Sequence, residues 1–96
     1  MSISMEELLE KMKYEKVNLI DIRSNIKYQN SHIPGAINIP SNNLINNPNN
    51  YLNKAEEYYL YCSSGHTSSS VVNILNSVGY NTKNILGGYN YYLLIK

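Results

Sequence analysis

The chain has 96 residues, enough for one domain over residues 1–96 with a modest core and too few for two cores. Eight basic against seven acidic residues leave a net charge of +1, which argues against the basic face of a nucleic-acid binder. With 43% hydrophobic and 16% charged residues the composition is that of a folded chain rather than a disordered one.

The first expected element is a helix from Met5 to Lys13. Ser4 stands at the N-cap with Glu7 three residues on, a capping box, and Ile3 with Leu8 fits a hydrophobic staple. Met5, Leu8, Leu9 and Met12 recur at helical spacing and give one apolar face. Val17, Leu19, Ile20 and Ile22 then form a short, nearly continuous apolar run, the pattern of a strand buried on both faces. A short helix over Ser24–Gln29 is expected to be capped by Ser24. His32 to Gly35 is a turn, Ala36 to Ile39 a second strand stopped by Pro40, and Ser41 the cap of another short helix through Leu44 and Ile45. The Asn-rich stretch Asn42 to Asn53 reads as a polar loop.

Tyr58 to Tyr61 is the third strand and runs directly into Cys62. Val71, Ile74, Leu75 and Val78 give the next helix its apolar face, and Gly79 stops it. Thr82 to Leu86 is the last strand, ended by Gly87 and Gly88, and Tyr91 to Ile95 a closing helix. Helices alternating with short buried strands predict an α/β fold with a mainly parallel sheet. No apolar run reaches the roughly 18 residues a membrane span needs. The acidic opening from Met1 to Glu7 is unlike a secretory leader, so the expected compartment is the cytoplasm, without membrane attachment.

The single cysteine excludes an internal disulfide and leaves a buried filler, a reactive thiol or a metal ligand. A strand followed by a small polar loop and a helix sets Cys62 at the carboxyl end of that strand, where open α/β sheets bind ligands. Loop and helix N–H groups aimed at the sulfur favour an anion there and lower the thiol pKa. Gly65 lets the backbone curl, and the hydroxyls of Ser63, Ser64, Thr67 and Ser68 add donors. Equally, a lone Cys after a strand is often just a small buried residue. His66 reads either as a donor to substrate or as a solvent-facing loop residue. The spacing of His32, Cys62 and His66 matches no zinc pattern. Asp21 reads as structural, since a short carboxylate after a strand bonds nearby backbone N–H groups.

Tyr61-Cys62-Ser63-Ser64-Gly65-His66-Thr67-Ser68 resembles the active loop of rhodanese-type sulfurtransferases, C-x-x-G-x-(R/T)-(S/A). Leu19 to Arg23 is similar to that family's L-I-D-V-R, and Tyr28 with His32 to Pro40 to its Y…G-H-I-P-G-A-I-N-I-P. Leu75, Val78-Gly79-Tyr80 and Leu86-Gly87-Gly88 resemble its closing blocks, so the likeness spans nearly the whole chain in order. It implies a three-layer rhodanese-like fold, a small central sheet flanked by helices. It also implies a sulfurtransferase that moves sulfane sulfur from a donor such as thiosulfate, through a persulfide on Cys62, to cyanide, a thiol or a protein cysteine. No metal or organic cofactor is implied. Ser63, Ser64, Gly65, His66, Thr67 and Ser68 would form the cradle, with Arg23 at the pocket mouth.

Some positions depart from the family. Thr67 stands where many single-domain members have Arg, and Ser63 where thiosulfate-preferring members have Arg or Lys. The loop therefore carries no permanent positive charge, which predicts weak binding of dianionic thiosulfate. Lys27 replaces an acidic residue before Tyr28, so either Arg23 lacks its carboxylate partner or Lys27 brings charge to the site. A quiet binding or regulatory module is the alternative. A phosphatase is disfavoured, because the related phosphatase loop is one residue longer and ends in Arg.

Overall fold

The computed structural model describes residues 1–96. Five strands form one sheet: β1 (Ser2–Ile3), β2 (Leu19–Asp21), β3 (Ile37–Asn38), β4 (Glu57–Tyr61) and β5 (Asn81–Ile85). Their spatial order is β1-β5-β4-β2-β3, and every pair is parallel. Parallel neighbours need crossovers, and helices supply them. These are α1 (Met5–Met12), α2 (Asn25–Asn30), α3 (Ser41–Asn46), α4 (His66–Ser77) and α5 (Gly88–Ile95), with a 3-10 turn at Pro48–Asn50.

The pleat of β4 shows why the sheet is covered on both faces. Tyr58, Leu60 and Cys62 point to one side and pack with Leu44, Val71, Val72 and Leu75 of α3 and α4. Tyr59 and Tyr61 point to the other and pack with Met5, Leu8 and Tyr89 of α1 and α5. Alternation with both sets buried is what a central parallel strand requires. The layers are thus helix, sheet, helix, as a rhodanese-like fold implies.

Local chemistry sets the ends of α1. Ser4 Oγ accepts from the Glu7 N–H at 3.0 Å, and Glu7 reaches back to Ser4, so the capping box forms. Ser24 likewise caps α2, accepting from the Lys27 N–H at 3.3 Å.

Four expectations are corrected. Pro40, not Ser41, holds the N-cap of α3, because its fixed φ carries the chain out of β3 and the Ser41 N–H is already given to the Ile22 carbonyl. The polar stretch Asn42 to Asn53 contains most of α3 and the 3-10 turn, and it buries Leu44 and Leu52. The buried face of α4 is Val71, Val72 and Leu75, while Ile74 and Val78 are exposed, so the helix sits rotated from the face that spacing marked. The last helix starts at Gly88 rather than Tyr91. Strand β1 was not foreseen at all: two residues pair with the free edge of β5, which no local signal announces.

Strand order reverses between β2 and β4. From β2 the chain moves outward to β3, and from β4 it moves the other way to β5. The loops after these two strands therefore diverge and leave a crevice at their carboxyl ends, the usual ligand site of an open α/β sheet.

Candidate active site

That crevice is a cleft of about 400 Å³. Ile22, Arg23 and Ser24 line it after β2, with Lys27 from α2 and Ser41 from α3. Cys62, Ser63, Ser64 and Thr67 line it after β4.

Cys62 is 4% exposed and sits at the cleft floor. The backbone turns at Gly65, whose φ of +98° sets the N-cap of α4. This turn aims N–H groups at the sulfur: Gly65 N lies 3.1 Å and Ser68 N 3.3 Å from Cys62 Sγ. Ser68 Oγ is 3.2 Å from the same sulfur. Burial pushes the Cys62 thiol up, but the Ser68 hydroxyl and the N–H groups of Ser68, Gly65 and Ser64 outweigh it and bring the pKa below the ordinary thiol value. The arrangement holds an anion on or next to sulfur.

The loop is held from behind by α5. Tyr89 N donates to the Cys62 carbonyl at 2.8 Å and Asn90 N to the Ser63 carbonyl at 2.9 Å. Gly88 permits this approach, since a Cβ there would stand 2.5 Å from Cys62 O.

Residues 4–94 match the family model of the rhodanese-like domain. The chain belongs to the rhodanese-like domain family. It is 33% identical to the Bacillus subtilis protein named "Putative sulfurtransferase YtwF", over 90% of this chain and 84% of that one. It is 32% identical to the Bacillus subtilis "Putative sulfur carrier protein YrkF", over 81% of this chain and 42% of the relative, so it spans less than half of that protein. The crystal structure of SSP1007 from Staphylococcus saprophyticus superposes with a TM-score of 0.88 at 38% identity, covering 95% of this chain and 91% of that one.

The structure of this rhodanese-like domain places each residue singled out in the sequence. Cys62, Ser63, Ser64 and Thr67 face the cleft, while Gly65 and Ser68 lie buried beneath the sulfur and donate to it. His66 is exposed, with Nδ1 3.2 Å from Ser64 Oγ, and does not border the cleft.

Arg23 borders the cleft, but its charge is committed. Nη2 donates to Asp21 Oδ2 at 2.6 Å and to the Ser31 carbonyl at 2.7 Å, and Nε reaches both Asp21 oxygens. Its guanidinium also lies 4.2 Å from the centre of the Tyr89 ring. Arg23 therefore has a carboxylate partner, and it is Asp21, fully buried and further bonded by the Arg23 N–H and the Tyr61 hydroxyl. Asp21 thus has the structural role read from its position after a strand.

Of the two cations that border the cleft, Lys27 is the one left free. It joins none of the molecule's ion pairs, and its Nζ lies 3.4 Å from Ser63 Oγ at the cleft wall. His32 braces the turn before β3, with Nδ1 2.8 Å from the Tyr28 carbonyl oxygen and its ring stacked on Tyr28. No three of the His, Cys, Asp and Glu side chains stand together as a metal-ligand set. Two residues of the site were not assigned to it from the sequence. Asn84 of β5 bonds both Ser68 and Gly65, and Gly88 backs the loop. Both act across long sequence separations; the signals were a polar residue inside a buried strand and, for Gly88, the Leu86-Gly87-Gly88 block.

Proposed function

We propose that this domain is a sulfurtransferase that carries sulfane sulfur as a persulfide on Cys62. One observation carries the reading: a cleft-floor sulfur receives N–H bonds from Gly65 and Ser68 and lies 3.2 Å from Ser68 Oγ, an arrangement that favours the charged sulfur. The relatives named as sulfurtransferase and sulfur carrier support it.

In the first half-reaction the Cys62 thiolate attacks the outer sulfur of the donor. A new S–S bond forms as the donor's own bond to that sulfur breaks, and the electron pair leaves with the donor remnant, sulfite when the donor is thiosulfate. The terminal sulfur of the resulting persulfide carries the negative charge, and the N–H groups of the loop stabilise it. In the second half-reaction an acceptor nucleophile, a thiolate or cyanide, attacks that terminal sulfur and Cys62 leaves as thiolate. The loop itself bears no charged side chain, so Lys27 is the single free cation near an anionic donor. One cation against a dianion gives thiosulfate weak affinity, with a KM above the low-millimolar range. A protein cysteine is the acceptor that suits an open cleft with exposed Ser64 and Thr67 on its rim. The cytoplasm is the compartment that keeps such a thiol reduced.

Intact-mass spectrometry before and after incubation with thiosulfate tests the reading, with Cys62→Ser as control. The expected result is a gain of one sulfur atom on the wild type, absent from the variant and reversed by cyanide. No uptake from thiosulfate, mercaptopyruvate or glutathione persulfide, together with slow alkylation of Cys62 at neutral pH, refutes it and favours a binding module.

A further inference from the structure

Ser68 has one hydroxyl proton, and two atoms claim it. Its Oγ lies 3.2 Å from Cys62 Sγ and makes a short hydrogen bond to Asn84 Oδ1. The other end of the same amide, Nδ2, points to the Gly65 carbonyl oxygen at 3.4 Å. One side chain on β5, 6% exposed, thus touches both residues whose backbone N–H groups bond the sulfur. Asn is depleted in strand interiors, and a buried amide is tolerated where its bonds are satisfied. The other buried polar residue of this strand, Thr82, is bonded to Asn76 of α4, whereas Asn84 turns its amide to the loop.

The proton inventory differs between the two states of the thiol. When sulfur holds its proton, S–H donates to Ser68 Oγ and the Ser68 hydroxyl donates to Asn84 Oδ1. When the thiol proton leaves to solvent through the cleft, sulfur is only an acceptor. The Ser68 hydroxyl then turns about its Cβ–Oγ bond to donate to Sγ, and Asn84 Oδ1 loses that donor. No bond to hydrogen in Ser68 or Asn84 is broken.

We propose that Asn84 is a positioning residue for Cys62 that acts through Ser68, keeping the hydroxyl proton while the sulfur is a thiol and yielding it when the sulfur becomes charged. The proposal rests on Cys62 being the reacting thiol, as in the function proposed above. Other ionisable groups surround the sulfur. Arg23, neutralised by Asp21, approaches from the loop after β2 and Lys27 from α2, and His66 stands at the start of α4. Tyr61 of β4 turns its hydroxyl to Asp21, Tyr89 of α5 presents a backbone N–H to Cys62 O, and Lys83 of β5 is paired with Glu57. All of these stay in place in the variants below, so differences between variants read Asn84 and Ser68.

The test is the rate of iodoacetamide alkylation of Cys62 from pH 5 to 10, followed by intact mass on the full chain. In Asn84→Asp the acceptor is charged and keeps the hydroxyl proton in both states. Its alkylation midpoint is expected to rise by about one pH unit, a roughly ten-fold slower reaction at pH 7. In Asn84→Leu the competing acceptor is gone, and the midpoint is expected to hold or fall. In a Ser68→Ala background the Asp effect is expected to shrink to less than half, because its route is lost. An amide that merely fills space would make both Asn84 variants slow, and that result overturns the proposal. So does an Asp effect that Ser68→Ala leaves intact, since it would be through-space charge alone. If the variants do not fold, the wild type decides. The Asn84 side-chain ¹⁵N resonances are expected to titrate at the alkylation midpoint, and a flat signal overturns the proposal. Alkylation needs neither donor nor acceptor. A protein that alkylates as expected yet takes up no sulfur refutes the sulfurtransferase and leaves Asn84 standing.

Discussion

Replacing Gly88 with alanine tests whether α5 holds the active loop in place. The added Cβ would stand 2.5 Å from Cys62 O and 2.7 Å from Ser63 O, both backbone atoms, whereas ordinary contact begins at 3.4 Å. Loop and helix must therefore separate by most of an ångström. The bonds that tie them, Tyr89 N to Cys62 O at 2.8 Å and Asn90 N to Ser63 O at 2.9 Å, would then be stretched beyond useful range. Two lost hydrogen bonds cost about 2 kcal/mol. Alanine at a φ of +60° adds about 1 kcal/mol of backbone strain. The expected loss is about 3 kcal/mol, or about 15 °C in Tm for a chain of this size. Gly79→Ala is the internal control. It also needs a left-handed backbone, at φ +101°, but its Cβ meets only the flexible end of Lys54, nearest at 3.4 Å. It should cost about 1 kcal/mol. Thermal unfolding by circular dichroism measures both, and alkylation of Cys62 reports the loop, which should react several-fold more slowly in Gly88→Ala alone. Equal Tm losses in the two variants would refute the argument that the close approach matters.

The same reasoning yields further expectations. The folded Cys62 titrates below the 9.0 of an ordinary thiol, because donors outweigh burial. A depressed pKa stabilises the fold above the unfolded value, and that contribution is lost as pH falls through the folded value. The stability difference between wild type and Cys62→Ser should therefore grow as pH rises toward 9.0, and identical alkylation midpoints for folded and urea-unfolded protein would contradict it. Lys27→Glu should raise the thiosulfate KM about ten-fold with kcat little changed, while Lys27→Arg keeps it; steady-state kinetics decide, and an unchanged KM in Lys27→Glu removes Lys27 from donor binding. Asp21→Asn strands the Arg23 guanidinium, whose side chain is 7% exposed, and should cost about 3 kcal/mol by urea denaturation. Tyr61→Phe removes the hydroxyl that donates to Asp21 and accepts from the Ile33 N–H, and should cost about 2 kcal/mol in the same assay.

Residues whose partners lie a few positions away were legible before any fold was known. Ser4 and Glu7 form their capping box and Ser24 caps α2, because the bonds close within three residues. Cys62 and Gly65 could be read as a loop around a thiol for the same reason: the N–H groups that reach the sulfur come from residues three and six further on. The limits appear where solvent exposure or a distant strand decides. Ile74 and Val78 fit the apolar period of α4 as well as Val72 does, yet only Val72 meets the sheet, because the tilt of a helix on its strands is not encoded in spacing.

Charge followed the same division. The loop residues predicted a loop without a permanent cation and left open whether Lys27 adds one; folding decides it by bringing Lys27 of α2 to Ser63, 36 residues away. It also sets Asp21 against Arg23, so the residue that looked available is neutralised and the one that looked misplaced is free. By itself, then, the sequence determined the order of elements from α1 onward and the strand–loop–helix around Cys62, which depend on period, capping and short loops, all local. The family resemblance was carried by its motifs, from Leu19–Arg23 to Leu86–Gly88. Only the tertiary structure decided that β1 closes the sheet on β5, that Gly88 lets α5 brace the loop, and that Asn84 and Lys27 complete the surroundings of the sulfur. Each depends on which strands become neighbours, and strand order in a parallel sheet is set by long-range packing rather than by any residue's own preference.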